Sequence, residues 1–283
     1  MSMQELGETF DLHAGGEDLV FPHHENEIAQ SESLTGKTFA RFWFHVRFLL
    51  VEGEKMSKSL GNFFTLRDLV LKGHKPSSIR YLLTSVPYRN QLNFTFDGLK
   101  QAAVSVERLR NFRQRLQAGN YPAGCSTEMQ TLASETLKRM RGALEDDLNT
   151  AQAQGAIFEM VRAANAAIDS GQLQKDDTVP LLSALEKFDE IFGVISDDDD
   201  VPKMKQVLEW ARSEGREQDI TAELRDAVAS DQYSDAEIEG KIAEMEAARK
   251  ARNFKASDAL RAELTAAGIV IENTKDGVRW RRK

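Results

Sequence analysis

Lys55-Met56-Ser57-Lys58-Ser59 places two ammonium groups three residues apart among small hydroxyl side chains. A loop of that make-up can fold over a triphosphate, with Lys58 setting a point charge against the phosphates in a pentavalent transition state. The loop follows an expected strand, Phe44 to Val51, and a Glu52-Gly53-Glu54 turn. The lysines would therefore project from a strand end, where α/β sheets hold their ligands. A solvated basic loop is the bland alternative. Upstream, Phe10 to Glu27 runs from an apolar strand through paired glycines into a helix opened by Pro22. Gly15 and Gly16 have no Cβ, so a nucleoside can lie on the backbone there, while Asp18 offers a carboxylate to ribose hydroxyls. A plain tight turn is the other reading. His13 and His45 stand near strand ends, and Trp43, Phe44, Phe48 and Leu50 have the spacing of a half-buried strand.

Residues 21–32 (FPHHENEIAQSE) and 52–62 (EGEKMSKSLGN) together resemble the second half of a class I aminoacyl-tRNA synthetase catalytic core, and specifically the cysteinyl-tRNA synthetases. Leu92-Asn93-Phe94, Asp146-Asp147-Leu148-Asn149-Thr150, Arg249 to Asp258 (RKARNFKASD) and Gly277 to Lys283 (GVRWRRK) extend the likeness over essentially the whole chain, in the family's order. The resemblance implies a cysteine–tRNA ligase, which activates cysteine with magnesium-bound ATP and transfers it to tRNA-Cys. Lys55 and Lys58 would hold the phosphates, Asp18 the ribose with Gly15 and Gly16 beneath the nucleoside, and His13 would line the amino-acid and adenylate pocket. Arg249, Arg252, Asp258 and Trp280 would contact the tRNA. The family's nucleotide-binding first half, with a His-Ile-Gly-His type signature, has no counterpart here. The expectation is a truncated or split chain that a separate N-terminal half completes. The runner-up is a catalytically inactive tRNA-binding module.

The family selects its substrate with a zinc ion on two cysteines, a histidine and a glutamate, of which His23 and Glu27 would remain. Their i, i+4 spacing puts both on one helical face, and a thiolate substrate suits zinc. A helix-surface pair is the alternative for this chain by itself. The only cysteine, Cys125, matches no family ligand and reads as a reduced bystander.

Composition sets outer limits. Lys and Arg number 37 against 45 Asp and Glu, a net charge of −8, which argues against a protein coated in nucleic acid but not against a local basic face. Ile242 to Lys283 supplies one: ten Lys and Arg minus six Asp and Glu leaves +4. One cysteine excludes a disulfide framework, and no apolar run approaches the roughly 18 to 20 residues of a spanning helix. A cytoplasmic protein with no membrane partner is expected.

The fold class expected is an α/β remnant of a doubly wound, Rossmann-like core, followed by a mainly α-helical bundle and a small α+β C-terminal domain. Residues 1–54 form the core remnant, with an incomplete sheet and exposed apolar faces. Residues 55–96 form the lysine loop and stem-contact region. Residues 97–194 carry four helical stripes, including Leu99, Val106 and Leu109, then Met140, Ile157, Met160, Leu185 and Phe188, as a four-helix anticodon-binding bundle. Arg108, Arg110, Arg113 and Arg115 on its first helix would grip phosphates or form a solvated face. Residues 195–234 are linker and short helices, with Asp197 to Asp200 a linker or surface loop. Residues 235–283 form a small anticodon-binding domain of two helices and a hairpin around Lys275-Asp276-Gly277, with basic side chains beside the flat ring of Trp280.

Overall fold

A computed structural model describes residues 2–196, 200–229, 233, 235–274 and 277–282. The chain begins with α1 (Ser2–Leu6), β1 (Phe10–Gly16), α2 (Glu25–Thr35) and β2 (Ala40–Val46). Short elements follow: β3 (Leu50–Val51), β4 (Glu54–Lys55), α3 (Leu66–Leu71), α4 (Pro76–Leu83) and β5 (Asn93–Phe94). Next come the long helices α5 (Phe96–Ala118), α6 (Thr127–Glu145), α7 (Thr150–Asp169) and α8 (Thr178–Phe192). The chain closes with α9 (Asp200–Ser213), α10 (Ala222–Ala229), α11 (Asp235–Lys250), α12 (Phe254–Ala266), β6 (Ile269–Thr274) and β7 (Gly277–Arg282). Two compact units result, Met1–Phe63 with Ser78–Ile195, and Phe64–Ser77 with Ser196–Lys283.

In the first unit β1 and β2 pair in parallel, with His13 opposite Trp43, Gly15 opposite His45 and Gly16 opposite Val46. The β1–α2–β2 arrangement is the expected remnant of a doubly wound core. Leu12 and Phe42 oppose each other on the other face and are 58% and 68% exposed, as an incompletely covered sheet would leave them. Phe21 lies in extended backbone (φ −132°, ψ 133°), the region a residue preceding proline is driven into, and Pro22 opens an irregular helical turn that runs directly into α2 at Glu25. One expectation is corrected. The run Phe44 to Val51 is not one strand. It breaks after Val46, and Leu50–Val51 pairs in parallel with Asn93–Phe94, a partner about forty residues away that local periodicity cannot reveal. Leu50–Val51 also pairs with Glu54–Lys55 across a two-residue turn in which Glu52 (φ 52°) and Gly53 (φ 85°) are both left-handed, the geometry a tight hairpin needs.

The helices α5 to α8 match the four apolar stripes and close on a core that includes Leu109, Phe112, Ile157, Met160, Leu185 and Phe188. Thr95, Ser126 and Asn149 each cap a helix by accepting from a backbone N–H of its first turn. The arginines of α5 divide between packing and solvent, with Arg110 buried, Arg113 and Arg115 half-buried and Arg108 exposed. Arg110 is buried and donates to the carbonyls of Val194 and Ile195, Arg115 donates to Asn165 and Asp169, and Arg108 lies 5.4 Å from the Phe158 ring centre.

In the second unit Thr65 and Asp68 form a capping box on α3, and Arg216 donates to Asp68 at 3.2 Å. The acidic run is not wholly a linker or surface loop. Asp197 to Asp199 lie outside the described residues, but Asp200 is buried and accepts from the Ser77 backbone N–H (2.9 Å) and hydroxyl (2.6 Å). A carboxylate with two donors is stable under cover, so this end of the run is part of a helix junction. At the C-terminus α11, α12 and the antiparallel β6–β7 hairpin enclose Ile238, Ile242, Leu264 and Ile269.

Candidate active site

Parallel pairing puts His13 and Gly15 of β1 beside Trp43 and His45 of β2, and the turn into α2 returns His24 and Glu27 over them. Imidazole and indole rings form a cluster: His13 to His24 4.8 Å, His13 to Trp43 4.8 Å and His24 to Trp43 5.0 Å between centres. His24 is 3% exposed, and its Nδ1 shares a 2.8 Å hydrogen bond with His45 Nε2. Burial first, then the neighbouring His13 and His45, push the His24 pKa below the ordinary 6.5 and keep the ring neutral.

Glu27 is the hub of this cluster. Its Oε1 lies 3.7 Å from His23 Nε2, and its buried Oε2 lies 3.0 Å from His13 Nε2 without the alignment of a hydrogen bond. Donor atoms of His13, His24 and Glu27 all fall within 4.8 Å of one another. The pair read from spacing, His23 with Glu27, is thus joined by His13 and His24, while the His23 side chain is 61% exposed. His24 was missed because helical spacing favours i, i+4, whereas an irregular turn from Val20 to His24 turns the second histidine inward.

The two glycines have specific neighbours. A Cβ on Gly15 would sit 2.6 Å from His24 Cε1, and one on Gly16 would sit 2.5 Å from Asp18 Oδ1. The bare backbone at Gly15 makes room for the protein's own imidazole. Asp18 is exposed, and its carboxylate has no hydrogen bond or ion pair among the described residues.

Lys55 belongs to β4 and not to the loop after it. Its Nζ lies 5.4 Å from the Phe48 ring centre, and Lys58 Nζ lies 5.6 Å from that of Phe63. The loop is internally tied. Asn62 accepts from the Ser57 N–H (2.8 Å) and donates to the Lys55 carbonyl (3.2 Å), and the Ser57 and Ser59 hydroxyls meet at 3.1 Å. Glu17, the residue after the paired glycines, reaches both Arg47 Nε (3.3 Å) and the Phe48 N–H (3.4 Å). Since Phe48 lies under Lys55, the glycine turn and the base of the lysine loop meet through one side chain.

In the second unit Arg249, Arg252 and Asp258 are exposed, and Arg252 occupies the left-handed turn (φ 59°) between α11 and α12. Arg249 lines a cavity with Met245, Glu246, Lys250 and Val278. Trp280 is half-buried and packs against the local core on one side. Phe254, 59% exposed between Arg252 and Lys255 in sequence, adds an open aromatic face interleaved with basic residues. Cys125 is exposed and unpaired. No helix among the described residues is long and apolar enough to cross a membrane.

Three family models match the chain: "tRNA synthetases class I (C) catalytic domain" over residues 1–104, "DALR domain" over 139–196 and "Cysteinyl-tRNA ligase anticodon binding domain" over 235–281. The chain is 60% identical over its full 283 residues to the cysteine–tRNA ligase of Koribacter versatilis, covering 57% of that protein. To the cysteine–tRNA ligase of Solibacter usitatus it is 50% identical, again over the full chain and 54% of the relative. It thus spans a little over half the length of these curated relatives. Among solved structures, a LeuRS–tRNA–LeuAMS ternary complex from Agrobacterium radiobacter K84 aligns with a TM-score of 0.50 at 16% identity, covering 65% of this chain and 26% of that one, a likeness of fold alone.

Proposed function

The chain belongs to the class I cysteinyl-tRNA synthetase family and matches the C-terminal part of its members, and from that premise we propose that it supplies one wall of a cysteine–tRNA ligase active site together with the tRNA-binding domains. The observation that carries the reading is Glu17, which joins the glycine turn to Phe48 beneath Lys55 and so supports recognition of nucleoside and phosphates by one centre. ATP would lie with its ribose at Asp18 and its phosphates under Lys58, where a fixed ammonium stabilises charge that grows in the transition state. Residues 1–54 with the lysine loop after them would make this centre, while 97–194 and 235–283 would engage tRNA-Cys, the last through Arg249, Arg252, Asp258, Trp280 and Phe254.

Zinc fits the residues present. The buried Oε2 of Glu27 has no hydrogen-bond partner, and it is surrounded by imidazole nitrogens, a donor set that zinc accepts. Glu27 would hold the ion with His13 and His24 on its buried side and His23 on its exposed side. The bound ion would supply a soft acid for the cysteine thiolate. His24 in turn is oriented by His45.

The test is cysteine-dependent ATP–pyrophosphate exchange. It is expected to be absent for this chain alone and to appear when a separately expressed N-terminal half of the family's catalytic domain is added. Lys58→Ala should then slow exchange by roughly 100-fold. Failure to recover exchange, with salt-sensitive tRNA binding intact, would replace the ligase reading by that of a tRNA-binding module.

A further inference from the structure

The turn between α6 and α7 holds the only two consecutive non-glycine residues with positive φ among the described residues, and the ligase chemistry offers no use for it. Asp147 (φ 53°) and Leu148 (φ 55°) are consecutive side-chain-bearing residues in the left-handed region, which L residues avoid because Cβ crowds the backbone. Leu148 is 47% exposed, so burial of its side chain does not explain the conformation. The turn is nevertheless held firmly: Leu148 N–H donates to Leu144 O (3.2 Å) and Asn149 N–H to Ala143 O (2.9 Å). What the conformation achieves is an aim. The Asp147 carboxylate accepts from the Tyr88 hydroxyl at 2.5 Å and from Arg89 through both Nε and Nη2.

Tyr88 carries that interaction to the sheet. Its ring stacks on Phe44 with centres 4.0 Å apart, and its carbonyl accepts from the Arg47 N–H at 3.1 Å. Phe44, His45 and Val46 pair with Ala14, Gly15 and Gly16, and Arg47 then reaches Glu17 at 3.3 Å. The bond to Asp147 also raises the Tyr88 pKa above its ordinary 10, as donation to a carboxylate does. The Arg89–Asp147 pair is largely exposed and weak as an ion pair. Tyr88 is the residue that also stacks on Phe44 and accepts from Arg47, so the geometric information passes through it.

We propose that Asp147 and Tyr88 are positioning residues that clamp the α6–α7 turn to the ends of β1 and β2, so that the helical bundle sets the geometry of the Gly15–Glu17 turn. The identity of the ligand at that turn rests on the ligase reading, but the clamp itself does not. If the strain served only to close the α6–α7 turn, its loss would be felt there and nowhere else.

Hydrogen exchange on the full 283-residue chain, read by mass spectrometry without any substrate, separates these cases. Tyr88→Phe keeps the stacked ring and removes only the hydroxyl, and Asp147→Ala removes the acceptor. Both are expected to raise exchange roughly threefold or more over residues 14–19 and 44–48, with the bundle core around Leu109 and Met160 unchanged. Asp147→Asn keeps an acceptor for Tyr88 and should restore near wild-type exchange at 14–19. If Asp147→Ala unfolds the bundle, Tyr88→Phe still decides the matter. Exchange that rises only over 146–150 and 88–90, or an Asp147→Asn variant as loose at 14–19 as Asp147→Ala, would overturn the proposal. Because no substrate is present, failure of pyrophosphate exchange would leave this result untouched.

Discussion

Gly15 is a residue whose type was legible in the sequence and whose neighbour was not. Paired glycines after an apolar strand announce a backbone that something approaches closely, but only the pairing of β1 with β2 and the inward turn of His24 show that an imidazole does so. The same limit governed the candidate metal ligands: spacing offered His23 and Glu27, and three-dimensional return places His13 and His24 beside Glu27. Gly15→Ala must therefore displace the His24 ring and its bond to His45, at a cost of about 1–3 kcal/mol, in the range of overpacked cores. Gly155, exposed in the middle of α7 with open space at its Cβ position, supplies the opposite sign. Gly155→Ala should add about 0.5–1 kcal/mol by restricting the unfolded chain. Urea midpoints of the two variants measure both, and effects of the same sign would refute the packing argument at Gly15.

At the scale of elements, helices were legible because their apolar stripes repeat within one segment, and α5 to α8 follow those stripes closely. Strands were less so, since Leu50–Val51 is a strand only because Asn93–Phe94 arrives beside it. Charged residues were least legible. Arg110 and Asp200 read as surface groups, yet each is buried against partners more than eighty residues away. The start of α3 is a case where local chemistry and distant chemistry combine. Burial pushes the Asp68 carboxyl up, and the hydrogen bonds from Thr65 and Arg216 outweigh it, leaving its pKa below the ordinary 3.8. A depressed carboxyl favours the folded state whenever it is ionised, so its contribution is present above about pH 3.8 and disappears as pH falls through the folded value. Asp68→Asn should lower stability by about 1 kcal/mol at neutral pH. Denaturant midpoints taken from pH 7 down to pH 3 should show that difference constant above about pH 5 and shrinking below 3.8. A difference that grows on acidification would contradict the sign.

For the whole molecule, the order of motifs was readable along the sequence, whereas the partition into compact units was not. Phe64–Ser77 groups with Ser196–Lys283 because the Thr221 hydroxyl donates to Leu71 O and Arg216 reaches Asp68, bonds that span about 150 residues. One consequence is functional. The two kinds of positive charge belong to different units, Lys55 and Lys58 to the first, Arg249 and Arg252 to the second, in a protein whose overall charge is −8. An acidic protein binds RNA through local cations, and each phosphate left without its cation lowers the slope of log affinity against log salt by about 0.7–0.9. Removing both charges with Arg249→Ala and Arg252→Ala should therefore flatten the salt dependence of tRNA binding by roughly 1.5 units while weakening it at every salt concentration. Lys58→Ala should leave that slope nearly unchanged if its ammonium serves the triphosphate as proposed. Filter binding between 50 and 200 mM salt, about the range over which such slopes are resolved, reads both variants. A slope reduced as much by Lys58→Ala as by the arginine pair would mean that one cationic surface serves RNA and nucleotide alike, and the division of labour between the units would fall.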